Sequence, residues 1–176
     1  YSFVSPEQQA LIDPAQTPLA LANPLSAELS VMRTSLWPGL LQAARQNLSR
    51  QQSRVRLFES GLRFRVESDG LHQDAMLAGL SVGPIVREQW GEVSRNADFF
   101  DLKADVEAVL AASGCLADTS FIAPAPAAVH SALHPGECAR LERNGQPVGW
   151  IGTLNPSLAA RLDLPADLQL FELSTA

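Results

Sequence analysis

The sequence predicts an α+β fold in which a mostly antiparallel sheet is flanked by helices. Three observations indicate this fold class. Segments with apolar residues at helical spacing alternate with extended apolar runs, and Asn144-Gly145 joins two of those runs as a hairpin. Twelve prolines and eleven glycines among 176 residues indicate many short turns. We expect about six or seven strands and about three substantial helices, within a single domain of residues 1–176.

The N-terminal segment predicts one short helix between irregular stretches. Residues 1–4 (Tyr-Ser-Phe-Val) have the composition of the end of a strand. Ser5 and Pro6 are typical of an N-cap and a first helical position, so a short helix should begin there. Three prolines predict a loop over residues 13–26, with one short strand near residues 19–21.

A capped helix followed at once by a long strand lies at the centre of the predicted fold. Ser35 is placed to cap the helix. The helix has one apolar stripe that should face a core, formed by Trp37, Leu40, Leu41, Ala44 and Leu48. The strand covers residues 55–67. Phe58, Leu62 and Phe64 lie on its even-numbered face, which we expect to be the more buried one, and the uneven alternation indicates a strand covered on both sides.

The remaining elements follow from local signals in the same way. In order, we expect a turn at Asp69-Gly70, a buried central strand over 74–82, a loop over 85–96 and a helix over 98–113 capped by Asp98 or Asp101. These are followed by a short strand over 120–123 and a hairpin of 138–143 with 147–154. A short helix after Asn155-Pro156 and a final strand over 168–173 complete the chain.

Composition excludes several functional classes. The chain is 46% hydrophobic and 18% charged, which is ordinary for a soluble globular protein, and no apolar run approaches the roughly 20 residues of a membrane span. The net charge of −6 argues against a nucleic-acid surface over the whole domain. Two cysteines without a short motif favour a reduced, cytosolic setting. Because the chain opens on Tyr1 rather than Met, we expect a fragment of a longer protein.

The charges are unevenly distributed along the chain. Seven of the thirteen basic residues lie between Arg33 and Arg65, whereas residues 88–107 are mostly acidic. Two opposed patches of this kind would suit a subunit interface, but a solvated helix face with charges on its flanking strands explains them equally well. Glu59 is expected to form a cross-strand charge pair or, as the alternative, an interface contact.

Eight short runs, spread in a fixed order over almost the whole chain, carry a family resemblance. They are Tyr1-Ser-Phe-Val, Asn23-Pro-Leu-Ser, Met32–Leu41 followed by Arg54–Phe64, Asp98-Phe-Phe-Asp-Leu-Lys, Leu133-His-Pro-Gly, and Gly149-Trp-Ile-Gly before Leu154-Asn-Pro. Together they resemble the synthetase-like core of bacterial phenylalanyl-tRNA synthetase β subunits. The resemblance implies a fold related to class II aminoacyl-tRNA synthetase catalytic domains, in a subunit where that fold has lost its chemistry.

One four-residue run bears directly on that chemistry. Phe64-Arg65-Val66-Glu67 matches the second class II signature. In active enzymes of the class its arginine holds the ATP α-phosphate through the guanidinium fork, and its acid reaches the adenine amino group or a neighbouring site. Arg65 and Glu67 are therefore weak nucleotide candidates. A third signature, a glycine-rich turn ending in an arginine, is not matched, because the run Gly149–Gly152 has no arginine until Arg161. The nucleotide site should therefore be inactive.

A possible metal site has a simpler explanation. His130, His134 and Cys138 recur at spacings of four, which on one helix would align three ligands. Pro135-Gly136 breaks any such helix, and we expect His134 to cap a turn instead. We predict no metal in this chain. The sequence also has no nucleophile elbow and no phosphate-binding loop.

The resemblance implies a non-catalytic module that assembles with the catalytic α subunit in a cytoplasmic α2β2 heterotetramer. ATP and Mg²⁺ would then belong to the whole enzyme, tRNA would be bound through the complex, and this chain would hold no cofactor. Two alternatives stay open: an active class II ligase using Arg65 and Glu67, and a tRNA-binding module using the arginine-rich stretch 33–65. The candidates for a role in folding or in the interface are Arg33, Trp37, Arg56, Phe58 and Glu59.

Overall fold

The computed structural model, which describes residues 2–175, has a six-stranded antiparallel sheet with helices on both faces. The helices are α1 (Pro6–Ile12), α2 (Trp37–Ser49), α3 (Phe99–Ala112) and α4 (Pro156–Leu162). The strands are β1 (Phe3–Val4), β2 (Val31–Met32), β3 (Val55–Glu67), β4 (Gly70–Val82), β5 (Thr119–Ile122), β6 (Leu133–Arg143), β7 (Gln146–Leu154) and β8 (Gln169–Ser174). The predicted α+β class with a mostly antiparallel sheet is confirmed.

The six long strands run in the spatial order β3-β4-β8-β7-β6-β5, and every neighbouring pair is antiparallel. β4 lies between β3 and β8, as predicted for the buried central strand. β1 and β2 form a separate two-stranded sheet. The predicted strand at residues 1–4 is seen at Phe3–Val4, and Tyr1 lies outside the described residues.

Two hydrophobic cores lie on opposite faces of the sheet. The larger core packs α1, α2 and α4 against one face, and the smaller core packs α3 against the other. Successive residues of β8 point alternately into the two cores, so that Leu170 belongs to the first and Phe171 to the second. No helix in the described part, residues 2–175, is both long and apolar enough to cross a membrane.

Local capping signals act at α3 and at the β6–β7 turn as the sequence predicts, whereas the predicted Ser35 N-cap of α2 is displaced by one residue. At α3 both expected caps act together, since the Asp98 carboxylate accepts from the N–H groups of Phe100 and Asp101, and the Asp101 carboxylate accepts from the N–H of Asp98. α2 begins at Trp37 with Leu36 instead of Ser35 at its N-cap position, and the Ser35 hydroxyl accepts the N–H of Trp37 at 3.1 Å. Asn144 and Gly145 form the predicted two-residue turn between β6 and β7, both with positive φ angles of 52° and 76°.

The expected strand near residues 19–21 is reduced to a single bridge between Ala20 and Val31. Backbone hydrogen bonds from Leu21 to Ser30 and from Met32 to Leu19 hold this segment beside β2. The three prolines of the loop limit it to this short contact, because proline offers no N–H to a ladder.

The predicted burial of β3 is wrong. Its even-numbered face is largely open, with Phe58 79% exposed and Leu62 39% exposed, although Phe64 is buried. The cause is tertiary. β3 is an edge strand, α2 packs on its odd-numbered face, and α3 lies over β7 and β8 on the other face without reaching far enough to cover Phe58. The strand is therefore covered on one side along most of its length.

Candidate functional site

The two nucleotide candidates lie at the far end of β3 and are engaged in ion pairs. The Arg65 Nε donates to the Asp74 carboxylate at 2.7 Å, and the Arg63 Nε donates to the same oxygen at 2.9 Å. The Arg65 guanidinium also pairs with Glu67. The hydrogen bond from Arg65, with a further one from Arg63, holds the pKa of Asp74 below its ordinary value, while Asp74 raises the pKa of Arg65. Two of the three guanidinium nitrogens of Arg65, Nε and Nη1, are thus directed at carboxylates.

The glycine-rich run Gly149–Gly152, the candidate for the third class II signature, lies inside β7, between β6 and β8. A Cβ on Gly149 would overlap the backbone of Glu172, and a Cβ on Gly152 would lie 2.7 Å from the Cβ of Cys138. These two glycines allow neighbouring strands to approach closely, because any side chain there would push the strands apart. They form part of the sheet instead of a phosphate-binding turn.

Arg33 lies on the same face of β3 as Arg65 and closes part of the open edge of the sheet. It is 5% exposed, its Nε donates to the Leu62 carbonyl at 2.8 Å, and its guanidinium pairs with Glu59. Its own carbonyl accepts the N–H of Phe64 at 2.9 Å. Glu59 is therefore in a charge pair, as expected, but its partner comes from the segment before α2 and not from a neighbouring strand.

Trp37 is a core residue, as the helical stripe predicts. Its ring is 1% exposed, and its Nε1 donates to the Phe171 carbonyl at 3.0 Å. The His130 ring meets it edge to face, with 4.9 Å between ring centroids. Burial lowers the pKa of His130, so this ring is held neutral against the tryptophan.

Glu172 is a buried acid that sequence reasoning missed. One carboxylate oxygen accepts the Leu36 N–H at 2.6 Å and the Ser35 hydroxyl at 3.2 Å, joining β8 to the start of α2. Burial raises the pKa of Glu172 to about 7, although the Leu36 hydrogen bond and the charge of Arg63 act in the opposite direction. The one available signal was an acid inside an otherwise apolar strand, which predicts either a solvated position or a partner.

One ion pair joins the basic segment to the acidic segment. Arg56 on β3 pairs with Asp105 on α3. These two residues form part of the rim of a cavity of about 350 Å³, which is mostly apolar and is also lined by Phe58, Leu77 and Phe171. The exposed Phe58 ring thus borders a groove between the edge strand and α3. Phe58 is not the core residue that the sequence pattern suggests.

His134 and His72 each form a short-range hydrogen bond within their own segment of the chain. The His134 Nδ1 accepts the Gly136 N–H at 3.1 Å, which confirms the predicted cap. Near the β3–β4 turn, ligand atoms of Glu67, Asp69 and His72 lie within 4.8 Å of one another at the surface. His72 belongs to β4 and hydrogen-bonds Asp69 at 2.7 Å, a contact that raises the pKa of His72 and lowers that of Asp69.

The antiparallel sheet with helices on both faces, together with the run Phe64-Arg65-Val66-Glu67, defines a protein with a class II aminoacyl-tRNA synthetase-like fold. The solved structure of PylSc, a pyrrolysyl tRNA synthetase from Desulfitobacterium hafniense, is similar to it with a TM-score of 0.70 over 99% of this chain and 58% of that one. The sequence identity is 15%, so this likeness concerns the fold alone.

Sequence comparisons identify the particular family. A family model described as the phenylalanyl tRNA synthetase beta chain CLM domain matches residues 1–175. Phenylalanine–tRNA ligase beta subunits of Pseudomonas fluorescens Pf-5 and of Methylococcus capsulatus Bath are each 50% identical over 173 residues, which cover 98% of this chain and 21% of those subunits. The chain belongs to this family of phenylalanyl-tRNA synthetase β-chain domains. It spans about a fifth of the length of these relatives.

Proposed function

We propose that this chain is a non-catalytic, synthetase-like module of the phenylalanine–tRNA ligase β subunit. Its role is to assemble with the catalytic α subunit in an α2β2 heterotetramer and to support aminoacylation of tRNA by the whole enzyme in the cytoplasm. ATP and Mg²⁺ act in the complex, and this chain binds neither of them. The domain is one folded unit within the longer subunit.

The observation that carries the proposal is the engagement of Arg65 in ion pairs with Asp74 and Glu67. In an active class II site this arginine must be free to meet a phosphate, whereas here Asp74 and Glu67 occupy its Nε and one of its two terminal nitrogens. The same face of β3 carries the ion pair of the buried Arg33 with Glu59. A phosphate would have to displace these carboxylates from a guanidinium that they already neutralise.

The same ion pairs weigh against the tRNA-binding alternative. Arg33, Arg56, Arg63 and Arg65 each contact a carboxylate, so the arginine-rich stretch of residues 33–65 carries much less free positive charge than its sequence suggests. Phosphate binding needs unpaired cations that release counterions, and the net charge of the chain is −6.

The proposal is tested in the whole enzyme with Arg65→Ala in the β subunit. We expect the KM for ATP and the rate of ATP–pyrophosphate exchange to stay within about twofold of the wild type, because no transition-state contact is lost. Arg65→Lys serves as the matched control that keeps the charge. A rise of about tenfold or more in the KM for ATP, restored by the lysine variant, would support the active-ligase alternative instead.

Assembly has a separate readout. Phe58→Ala and Phe58→Lys alter an exposed side chain beside the groove between β3 and α3, so the folded domain should tolerate both changes. If the groove contacts the α subunit, the lysine variant reduces recovery of the tetramer in gel filtration more than the alanine variant. If the tetramer forms normally with both variants, the α subunit contacts another surface. Failure of this β subunit to co-purify with α at all would contradict the proposal.

A further inference from the structure

The groove between β3 and α3 is apolar inside and carries opposite charges at its rim. Its volume is about 350 Å³. Phe58, Gly79 and Phe171 lie opposite one another on the neighbouring strands β3, β4 and β8. The Phe171 ring covers Gly79, because a Cβ at that glycine would lie 2.6 Å from the ring. The groove is therefore bordered by two aromatic rings, one buried and one exposed.

The helix side of the groove completes the apolar surface. Leu102, Asp105 and Val109 are spaced so that they share one face of α3, the face that lines the groove. Leu102 is buried and Val109 is exposed, so this wall runs from the core to the surface. Small-molecule sites are mostly apolar cavities of about 300–1,000 Å³ with a few polar groups, and this groove lies at the lower end of that range.

The charged groups of the groove are one base and one acid. The Arg56 guanidinium on β3 pairs with the Asp105 carboxylate on α3, and both residues line the groove. The two side chains remain open to water, with exposed fractions of 35% and 47%. An ion pair that is this exposed contributes little to stability. A ligand can therefore open the pair at small cost.

An α-amino acid carries a carboxylate and an ammonium on one carbon atom, which complements this rim. Its carboxylate can replace Asp105 on Arg56, where the guanidinium fork donates two parallel hydrogen bonds, and its ammonium can replace Arg56 on Asp105. Its side chain then enters the groove, where burial of apolar surface is favourable. We propose that this groove binds a free α-amino acid with a large apolar side chain, held at its charged end by Arg56 and Asp105.

The test is calorimetric titration of this 176-residue chain, whose two hydrophobic cores are both formed by its own residues. L-Phenylalanine is the main probe. 3-Phenylpropionate lacks the ammonium, phenethylamine lacks the carboxylate, and L-alanine lacks the ring. We expect each of these three to bind at least about tenfold more weakly than L-phenylalanine, because each has lost one of the contacts.

Two variants separate the charged contacts. Arg56→Gln should weaken L-phenylalanine and 3-phenylpropionate severalfold without weakening phenethylamine, because only the carboxylate contact is lost. Asp105→Asn should weaken L-phenylalanine and phenethylamine without weakening 3-phenylpropionate. A purely structural role of either residue would weaken all three probes alike. Arg45→Gln is the matched control, since it removes an exposed arginine of α2 on the other face of the sheet, and it should leave all affinities unchanged.

The proposal is overturned if L-phenylalanine does not bind at millimolar concentration, if a probe with one charge binds as tightly, or if the Arg45 variant loses as much affinity as the other two. N-acetyl-L-phenylalanine amide carries neither charge. Equal or tighter binding of this amide also overturns the proposal, because the groove would then take an apolar side chain of another protein segment. The titration contains no α subunit, so its result is separate from the test of assembly.

Discussion

The buried carboxyl of Glu172 should make the stability of this domain depend on pH in a predictable direction. Its pKa is raised from 4.5 to about 7 in the folded chain, mainly by burial. Below pH 4.5 the carboxyl is protonated in both states, so this contribution to stability is fully present. As the pH rises to about 7, the unfolded chain releases the proton and the folded chain retains it, so the free energy of unfolding falls. The full loss is about 3 kcal/mol.

Glu172→Gln mimics the protonated acid and keeps an oxygen for the Leu36 N–H and the Ser35 hydroxyl. We expect wild type and variant to have similar free energies of unfolding near pH 4.5, and the variant to be more stable by about 3 kcal/mol at pH 8. Urea unfolding at several pH values measures this difference. Taking the difference also cancels the opposite trend from His130, whose lowered pKa adds stability as the pH rises through 6.5.

The control is Glu107→Gln, which removes a surface acid that pairs with Lys103 on α3. Its effect on the free energy of unfolding should be small and nearly independent of pH. The reasoning is refuted if the difference between wild type and Glu172→Gln does not change between pH 4.5 and pH 8, or if the wild type becomes the more stable protein at the higher pH.

Three further outcomes follow from the packing. Trp37→Ala should lower the free energy of unfolding by about 3–5 kcal/mol, because the tryptophan is buried. Phe58→Ala should lower it by less than about 1 kcal/mol, because the Phe58 ring is exposed. Similar losses for the two variants in urea unfolding would contradict the assignment of faces on β3. Asp98→Ala removes the carboxylate that accepts the N–H groups of Phe100 and Asp101 at the start of α3 and should cost about 1 kcal/mol, while a thermal melt identical to wild type would show that this cap contributes little. Gly61→Ala places a Cβ against the Arg33 guanidinium and should cost about 2 kcal/mol, unless Arg33 finds an equivalent position, in which case the melting curve is unchanged.

The elements that could be predicted from the sequence are those with signals inside the element. The capping pair of α3, the Asn144-Gly145 turn and the apolar stripe of α2 all depend on residues a few positions apart. Such local preferences are nearly independent of the rest of the fold. The same is true of His134, whose cap is formed with a residue two positions away.

The predictions that were wrong, and the contacts that were missed, depend on residues far apart in the sequence. The packing positions of α2 and α3 decide which face of β3 is covered. The alternation of residues within the strand does not indicate those positions. Arg56 finds its acid 49 residues away on α3, and Glu172 finds its donors more than a hundred residues away at the start of α2. Charge patterns read along the chain therefore suggested separate patches where the fold brings opposite charges together.

The contact between Arg33 and the outer edge of β3 also protects the protein from self-association. An unpaired edge strand is a template onto which another chain can add, and long, flat edges promote aggregation. Arg33 engages the outward-facing groups of Leu62 and Phe64, and the charged Arg56 lies in the stretch around Phe58 that Arg33 leaves uncovered. Loss of Arg33 should therefore appear first as aggregation of the folded domain at high concentration.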